Sequence, residues 1–529
     1  MVLKKILIKI LFYYQTYIKF YNNFFFYKKI ENYIKEKILC NFNNYQKSEK
    51  NIILIDHFEV MNVLIQKMLF LLCLGKYFKA QIYCFNFRYT PQFSLIYKTL
   101  GIKILKKKIS IKIKKKIFNT YFKEIKKIKT KKQLLNYRLH GINIGIDIYE
   151  SYLIRYKKPT VDLKDFRFKL IFFKALKEFF HWKEFVEKNT INSIHVSHRS
   201  YIETNILCKI GYKKKIPTFS ITGDFTRISK YLDDKCDENT LFYNLKSIFN
   251  SLNSSDQKKG IKKAKLQLKK RLKGINANIL YSKKSAFKKT KKKKLYLNNN
   301  AKIKVLICTH CFYDNPHAYG KNLFSDFYEW LKFLVSISKK TDYDWYIKPH
   351  PDYLPGTIEN INKIIFGSEI KLIDPSASFH SLANENLDYA LTAYGSVAHE
   401  LPLLGIKVIS CDPNNPHNSF NFTKTPKNLM EYKKNLMNLK KKENKKIKTE
   451  EIYKFYFTRY YVIKNEKLFY NNYREFINFF YKHESIFFNY FKKSNILKQI
   501  KIIDNYLNSN DKYLVNNKFQ KNILKYDNN

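Results

Sequence analysis

The fold prediction rests on two stretches, WYIKPHPDY (residues 345–353) and LDYALTAYGSVAHELPLLGIKVIS (387–410). In each, a short apolar run ends in a polar, turn-forming cluster: Tyr346-Ile347 leads into Lys348-Pro349-His350-Pro351, and residues 387–391 lead into residues 392–396. A buried parallel strand delivers functional groups to the carboxyl edge of an α/β sheet in this way. The pattern therefore predicts two strands of one parallel sheet.

The second stretch also predicts a helix that suits an anion. Gly395-Ser396 opens it with Ser396 as N-cap, Glu400 lies about one turn further on, Pro402 shortens or kinks it, and Gly405 ends it. A helix start preceded by glycine offers backbone N–H groups and a positive dipole end, both of which favour a phosphate. We therefore expect a nucleotide diphosphate or monophosphate site here.

Length and composition predict a folded, multidomain chain. The 529 residues exceed one ordinary domain, and 45% hydrophobic and 17% aromatic residues can form sizeable cores. The formal charge of +57 has three possible explanations. AT-rich codon bias with general solubility is one, an anionic lipid surface is the second, and nucleic acid is the third. No nucleic-acid-binding signature accompanies the charge, so we expect no nucleic-acid partner.

The eight cysteines show no disulfide-like framework. The first 50 residues form a basic, aromatic segment without an uncharged 18-residue span or a small-residue cleavage site, so neither a transmembrane helix nor a secretory signal is predicted. A helix packed on the domain and a helix lying on a membrane surface are both compatible with that segment. We expect a reducing cytoplasm, with Cys308 and Cys311 as ordinary buried thiols.

Residues 51–250 predict a first Rossmann-like domain. Four β-rich runs end in polar residues that are candidates for chemistry: Asp56 and His57, Asn86 to Arg88, Ser197 to Arg199, and Gly223-Asp224. Helical segments alternate with these strands, which is typical of a doubly wound parallel sheet. Each His or Asp at a strand end can also be a cap or turn former, although strand ends of one parallel sheet converge in space.

The remaining boundaries follow from changes in composition. Residues 251–300 are rich in Lys and Asn and predict a linker, residues 301–430 hold five βα-type steps and predict a second Rossmann-like domain, and residues 431–529 predict C-terminal helices and a polar tail. The predicted architecture is thus α/β, with two Rossmann-like domains and additional C-terminal helices.

The His-Pro element followed about forty residues later by Tyr394-Gly395-Ser396 and Glu400 resembles the donor half of GT-B glycosyltransferases. More narrowly, the chain resembles bacterial capsule and surface polysaccharide biosynthesis proteins related to Kdo-transferring capsule enzymes. The match covers about 300–430, including residues 310–314 and 326–330. Before residue 300 only a few positions resemble this family, namely Gly145, Asp147, Tyr149 and Arg155.

The resemblance implies two domains facing a cleft and a donor site without a metal ion or other cofactor. His350 would contact the donor phosphate or nucleotide, with Lys348 as counter-charge and His310 as a further donor-side candidate. Gly395, Ser396 and the following amides would hold phosphate, and Glu400 would bind ribose hydroxyls.

Transfer with inversion also needs a general base for the acceptor hydroxyl. The candidates in the first domain are Asp56, His57, His198 and Asp224, and Asp147 is a secondary candidate. Asp314 and His317, in the first loop of the second domain, are further candidates. The residues alone do not rank these groups.

Three hypotheses follow. The first is a bacterial glycosyltransferase that is cytoplasmic or peripheral on the inner face of the cell membrane and builds a surface polysaccharide. Its partners would be a nucleotide sugar, with CMP-linked sugars among the candidates, and a saccharide or lipid-linked acceptor. The second is a CDP-polyol phosphotransferase of the same fold, and the third is a non-catalytic basic protein that binds membrane or nucleic acid.

Overall fold

The computed structural model covers the chain from residue 1 to residue 529, and the following residues are described. They are 11, 14–15, 17–18, 20–42, 48–58, 61–221, 228–231, 240–275, 284–288, 295–320, 322–441, 448–463, 488, 491–515, 517–519 and 521–522.

The described α-helices are, in chain order, α1 (Phe24–Tyr33), α2 (Met61–Phe78), α3 (Pro91–Thr99), α4 (Ile111–Ile125), α5 (Lys131–Leu135), α6 (Gly145–Tyr156), α7 (Phe166–Lys188), α8 (Ile206–Lys213), α9 (Thr240–Tyr243), α10 (Leu245–Asn250), α11 (Ser254–Leu272), α12 (Phe327–Ser338), α13 (Thr357–Ile365), α14 (Phe379–Asn384), α15 (Val397–Glu400), α16 (Leu429–Met437), α17 (Thr449–Phe457) and α18 (Lys493–Leu507). The described strands are β1 (Ser48–Asp56), β2 (Ala80–Phe85), β3 (Lys103–Ile104), β4 (Arg138–Leu139), β5 (Ile142–Asn143), β6 (Thr190–Val196), β7 (Thr218–Ile221), β8 (Ile228–Tyr231), β9 (Ile303–Cys308), β10 (Tyr343–Lys348), β11 (Lys371–Leu372), β12 (Tyr389–Thr392), β13 (Lys407–Ser410) and β14 (Tyr513–Leu514).

The chain divides into two compact units. Unit 1 comprises Met1–Tyr121, Ala175–Cys236 and Asn465–Asn516, and unit 2 comprises Phe122–Lys174, Asp237–Lys464 and Asn517–Asn529. This division differs from the predicted boundaries, because each unit is assembled from segments that are distant in sequence. The stretch 251–300, predicted as a linker, contains the 19-residue helix α11 of unit 2.

Unit 1 contains a seven-stranded sheet in the order β14-β8-β7-β6-β1-β2-β3. The strands from β7 to β3 run parallel, while β8 and β14 are antiparallel additions at one edge. The succession changes direction between β1 and β6, which makes the carboxyl ends of these two strands the switch point of the sheet. The polar tail expected from residue 508 onward includes β14, whose two residues are buried in this sheet.

Unit 2 contains a five-stranded sheet in the order β11-β10-β9-β12-β13, and all its strands are parallel. This is the 3-2-1-4-5 order of a Rossmann-like half, with its switch point between β9 and β12. The sequence prediction of an α/β class with two Rossmann-like sheets is therefore confirmed.

Both faces of the unit 2 sheet are covered, as the continuous apolar character of its strands predicts. Alternate residues divide between two cores: Val305 and Ile307 pack with Trp330 of α12 on one face, whereas Leu306 packs with Leu382 of α14 on the other. Side chains within the sheet are thus committed to packing. Groups free for chemistry must lie beyond the strand ends.

Residues 122–174 also pack on the start of α12 in unit 2. Asp326 caps this helix through the amide of Glu329 at 2.8 Å, and its second oxygen accepts hydrogen bonds from Tyr149 and, at 2.5 Å, from Thr160. Lys131 adds a 2.5 Å ion pair to Glu329. Burial raises the pKa of Asp326, and these donors oppose that rise.

The N-terminal helix α1 packs against unit 1 through one face. Phe26, Tyr27 and Ile30 are buried, whereas Phe25 is 81% exposed. Among the described residues, no helix combines the length and apolar character needed to span a membrane.

Gly145 at the start of α6 lies against the backbone of Leu134 at a distance that leaves no room for a side chain. We therefore expect Gly145→Ala to destabilise the protein by about 3 kcal/mol. A Cβ there would lie 1.7 Å from the carbonyl oxygen of Leu134, so α5 and α6 would have to separate. Chemical denaturation measures the change in free energy of unfolding.

Gly367→Ala serves as the control for this measurement. A Cβ at Gly367 meets nothing within 4 Å, although its φ of +71° is unfavourable for alanine, so we expect a cost of only about 1–2 kcal/mol. Equal stability losses in the two variants would contradict the steric explanation.

Candidate functional site

The switch point of the unit 2 sheet brings His310, which follows β9, against the end of β12. The Nε2 atom of His310 lies 3.0 Å from the Oγ1 atom of Thr392 and accepts a hydrogen bond from the amide of Ala393 at 3.2 Å. Nε2 must therefore lack a proton, which places the proton of the neutral ring on Nδ1. Burial, with a smaller effect of His350, lowers the pKa of His310 to about 4, consistent with this neutral form.

Gly395 lies where the chain passes closest to this pair. Its amide donates to Thr392 Oγ1 at 3.1 Å. A Cβ at this position would lie 2.8 Å from the same oxygen and 3.3 Å from Cε1 of His310. Within the described part of the chain, the next two amides, those of Ser396 and Val397, have no hydrogen-bond acceptor. These N–H groups are consequently free to bind a ligand.

The helix expected from Ser396 to Gly405 is shorter than predicted. It consists of the four-residue helix α15 followed by a 3₁₀ turn, Leu401–Leu404, with Pro402 near the start of the turn. Gly405 ends the turn in the left-handed conformation, as expected. Because so short a helix has a small dipole, the individual amides matter more for anion binding than the helix as a whole.

Ser396 does not act as a side-chain cap. Its Oγ atom donates to Oε2 of Glu400 at 3.1 Å, and Oε1 of Glu400 accepts from Nε of Arg271 at 2.8 Å. The Arg271 and Glu400 side chains are 5% and 3% exposed. Both carboxylate oxygens of Glu400 are therefore engaged within the protein.

Arg271 is a residue that sequence analysis missed, because it lies in the stretch predicted as a linker. A usable signal was present nonetheless. Gly260, Ala264 and Leu268 precede Arg271 at helical spacing, and all four are buried along one face of α11.

Lys348 is the last residue of β10 and His350 follows the strand, and their side chains differ in exposure. Lys348 is buried and donates to the carbonyl oxygen of Pro375 at 2.8 Å; burial lowers its pKa to about 8, while Cys308 and Asp374 oppose that shift. It therefore supplies positive charge from inside the protein.

His350 retains an exposed surface, and its Nδ1 atom accepts from the amide of Asp352 at 3.0 Å. Its pKa is lowered, chiefly by desolvation. In the neutral ring the proton therefore resides on Nε2, where it can be donated to a phosphate oxygen.

The loop after β9 contributes a buried acid–histidine pair. His317 Nδ1 lies 3.2 Å from Oε1 of Glu150, and both side chains are less than 5% exposed. Asp412 follows β13, and burial raises its pKa to about 7, with His317 and the amide of Asn414 opposing the rise. Asp314 lies in the same loop; the pKa of Tyr394 is raised chiefly by burial, and Tyr319 and Asp314 add smaller effects.

In unit 1, the switch point joins the ends of β1 and β6 through Asp56. Its two oxygens accept from the Ser197 amide at 2.9 and 3.0 Å, and one also accepts from the Ser197 hydroxyl at 2.5 Å. Ser197 Oγ lies 2.9 Å from Nδ1 of the exposed His198. Since the hydroxyl proton points to Asp56, Nδ1–H of His198 donates to Ser197, which leaves Nε2 as an acceptor.

The other first-domain candidates have different surroundings. His57 is packed among Phe87, Phe93 and Tyr97, and burial lowers its pKa to about 4. Asp224 lies outside the described residues. Asp147 is buried in α6 of unit 2 rather than in the first unit.

Lys67 of unit 1 is a second residue that sequence analysis missed. It is fully buried in α2, with Nζ 3.7 Å from the centroid of the Phe58 ring. Burial lowers its pKa to about 7, and the charge of Asp56 opposes that shift. A lysine inside the apolar run 61–74 was the available signal.

The described residues include seven of the eight cysteines, and none of these seven forms a disulfide bond. Burial raises the pKa of Cys308 to about 12. No group of three or more His, Cys, Asp or Glu side chains in the described part of the chain is arranged to hold a metal ion.

Comparison with known proteins finds similarity in solved structures alone. No protein-family model matches the sequence, and no curated protein matches it. A structure of KpsC from Thermosulfurimonas dismutans, a beta Kdo 2,4 transferase, matches with 12% identity over 50% of this chain and 79% of that chain, at a TM-score of 0.30.

Two further structures match over longer stretches. A glycosyltransferase from Rickettsia africae has 9% identity, covering 88% of this chain and 100% of that chain, at a TM-score of 0.24. The UDP-GlcNAc 2-epimerase from Neisseria meningitidis, solved with UDP-GlcNAc, has 10% identity, covering 87% and 100%, at a TM-score of 0.19.

The Arg271–Glu400 pair gives a stability prediction. Glu400→Gln removes the carboxylate charge that pairs with the buried Arg271, so we expect the free energy of unfolding to fall by about 3 kcal/mol. Replacing both residues by apolar ones, Arg271→Met with Glu400→Leu, should recover most of that loss, as chemical denaturation would show.

Asp342→Asn is the matched control, because it breaks the exposed ion pair with Lys302. Its expected cost is below about 1 kcal/mol. If Glu400→Gln were no more costly than this control, Glu400 would not have the structural role assigned here.

His310 gives a prediction of pH dependence. Its pKa in the folded state, about 4, is below the ordinary value of 6.5, so the unfolded chain binds more protons between these values. Stability should therefore decrease as the pH falls from 6.5 to 4, and His310 contributes at most about 1.4 kcal/mol per pH unit.

His310→Gln removes the titrating group, so its unfolding free energy should depend less steeply on pH across this window. His140→Asn, at an exposed hairpin histidine, is the control and should retain the full slope. Identical slopes for His310→Gln and the unaltered protein would refute the assignment.

Proposed function

We propose that this protein is a glycosyltransferase that transfers a sugar from a nucleotide-activated donor to a growing capsule or other surface polysaccharide. The observation that carries the proposal is the convergence at the unit 2 switch point. There the amides of Ser396 and Val397 have no hydrogen-bond acceptor among the described residues. Gly395 has no side chain that would fill the space beside His310. Ligands of open α/β sheets bind at such a point.

The donor groups that follow β10 and β12 suit a phosphate. Two backbone amides and the Nε2–H of a neutral His350 are uncharged donors, and charge-assisted hydrogen bonds to an anion are stronger than neutral ones. Lys348, at the end of β10, adds buried positive charge that solvent screens little. This His-Pro and Gly-Ser arrangement resembles GT-B donor sites. We therefore propose that the bound anion is the phosphate of a nucleotide sugar.

In this proposal, Glu400 acts first as a positioning residue. Its carboxylate is held by Arg271 and accepts from Ser396, so it fixes the turn that presents the free amides. The ribose role implied by the resemblance would require a sugar hydroxyl to replace Ser396 at Oε2.

For the base, we propose His198. Its Nε2 is an acceptor on an exposed ring, and the chain from Asp56 through Ser197 orients the ring. During transfer, the acceptor oxygen would bond to the anomeric carbon, a general base would take its proton, and the bond from that carbon to the phosphate oxygen would break. The phosphate would leave with the electron pair, stabilised by the donors at Ser396 and His350.

The proposed setting is the cytoplasm or the inner face of the cell membrane of a bacterium. The free cysteines of the described residues are in accord with a reducing compartment. The proposed acceptor is a saccharide or a lipid-linked saccharide, and no cofactor besides the donor substrate is invoked.

A thermal-shift screen with CMP-, UDP-, GDP- and CDP-linked sugars tests the donor site. The matching donor should raise the Tm, because it binds only the folded state. His350→Asn should weaken its binding about tenfold or more through loss of a hydrogen bond to a charged group, whereas His140→Asn should bind normally. The proposal fails if no donor raises the Tm, or if His350→Asn and His140→Asn respond alike.

Product analysis with the best donor separates glycosyl transfer from the related phosphotransfer. A glycosidic linkage with release of the nucleotide is the expected product. A phosphodiester in the product would instead identify a CDP-polyol phosphotransferase.

A further inference from the structure

Unit 2 contains a cavity of about 860 Å³ away from the strand ends described above. It lies beside α11, the segment 284–288 and α17. Four lysines line it: Lys265 and Lys269 of α11, Lys273 directly after the helix, and Lys288. No Asp or Glu is among its described lining residues, so the cavity is strongly positive.

The geometry of α11 concentrates this charge. Lys265 and Lys269 are one turn apart on one face of the helix, and Lys273 follows another turn later. In the described part of the chain, none of the four cavity lysines forms an ion pair with a carboxylate. Since like charges repel, and concave low-dielectric walls focus their field, an anion bound here would relieve the repulsion.

The cavity also has an apolar floor. Leu268 and Leu272 of α11, Phe287 and Leu403 line the cavity together with the lysines. His380 lies 2.7 Å, through Nε2, from the carbonyl oxygen of Leu272 and thereby fixes one wall. Apolar surface next to several ammonium groups is complementary to a ligand with both an anionic and an apolar part.

This cavity is distinct from the candidate donor site. Arg271, on the same helix, is directed to Glu400, and its guanidinium lies 5.2 Å from the centroid of the Phe287 ring. Neither the proposed donor chemistry nor the proposed base uses any lining residue.

We propose that this cavity binds a ligand that carries a phosphate or diphosphate group next to an apolar portion. Lysine is a common phosphate partner because its ammonium acts as a compact, mobile point charge. Several such groups can surround the oxygens of a diphosphate, while the leucines and Phe287 contact the apolar portion. The ligand can be a lipid phosphate in a membrane or a soluble organic phosphate.

Titration calorimetry of the full chain with inorganic pyrophosphate tests the anionic part. The double variant Lys265→Glu/Lys269→Glu should bind about tenfold more weakly or worse. Lys262→Glu/Lys270→Glu is the matched control: it makes the same change in net charge on the same helix at exposed positions outside the cavity. It should retain most of the affinity.

Equal losses in the two double variants would overturn the proposal, because general charge attraction would then explain binding. Absence of pyrophosphate binding would overturn it as well. His350→Asn should not alter this binding, and the lining variant should keep its thermal shift with nucleotide sugars. Failure of this proposal is therefore distinguishable from failure of the proposed transfer reaction.

Vesicles identify the source of the phosphate. Phosphatidylcholine vesicles containing phosphatidic acid should capture the protein if the ligand is a lipid, and pyrophosphate should then compete. Loss of capture with Lys265→Glu/Lys269→Glu, but not with the control pair, would support a lipid ligand. Pyrophosphate binding without such capture would support a soluble organic phosphate instead.

Discussion

The buried ion pair between Arg271 and Glu400 is the interaction on which the arrangement of unit 2 depends. It joins α11 to the turn after β12 across 129 residues of sequence. Taking both charges out of water is costly, and the pair is tolerable only because its geometry is good and Ser396 satisfies the second carboxylate oxygen. By holding Ser396, the pair fixes the amides of the candidate donor site. By holding α11, it also sets the orientation of the helix whose other face lines the lysine cavity.

Much of the unit 2 sheet could be predicted because its signal is local. Each strand is an apolar run that ends in polar or turn-forming residues, and in a parallel sheet these ends meet at one edge. His310 and Thr392 are 82 residues apart in sequence and lie 3.0 Å apart in the structure. That contact follows from the 3-2-1-4-5 strand order, which places β9 beside β12. The prediction of two Rossmann-like sheets succeeded for the same reason.

The features that could not be predicted depend on partners distant in sequence. Local composition marked 251–300 as a solvated linker, although one face of α11 is buried along unit 2. Residues 122–174 join unit 2 through Tyr149, Thr160 and Lys131, and no local pattern reveals that their partners are Asp326 and Glu329. The role of Glu400 was similarly hidden. The local sequence around a carboxylate near a helix start is the same whether the carboxylate binds a ligand or pairs with an arginine from a distant part of the chain.

The net charge of +57 does not by itself indicate a function, because the lysines have physically different roles. Lys67 and Lys348 are buried close to strand ends of the two sheets, where desolvation lowers their pKa to about 7 and about 8. The fields of such buried charges are screened little by salt, so they can act on a ligand bound at a strand end. The cavity lysines on α11 are exposed, and their attraction for an anion depends on how closely they are grouped. Placement relative to the sheet edges and to α11, rather than number, thus distinguishes the cations with a proposed binding role from the others.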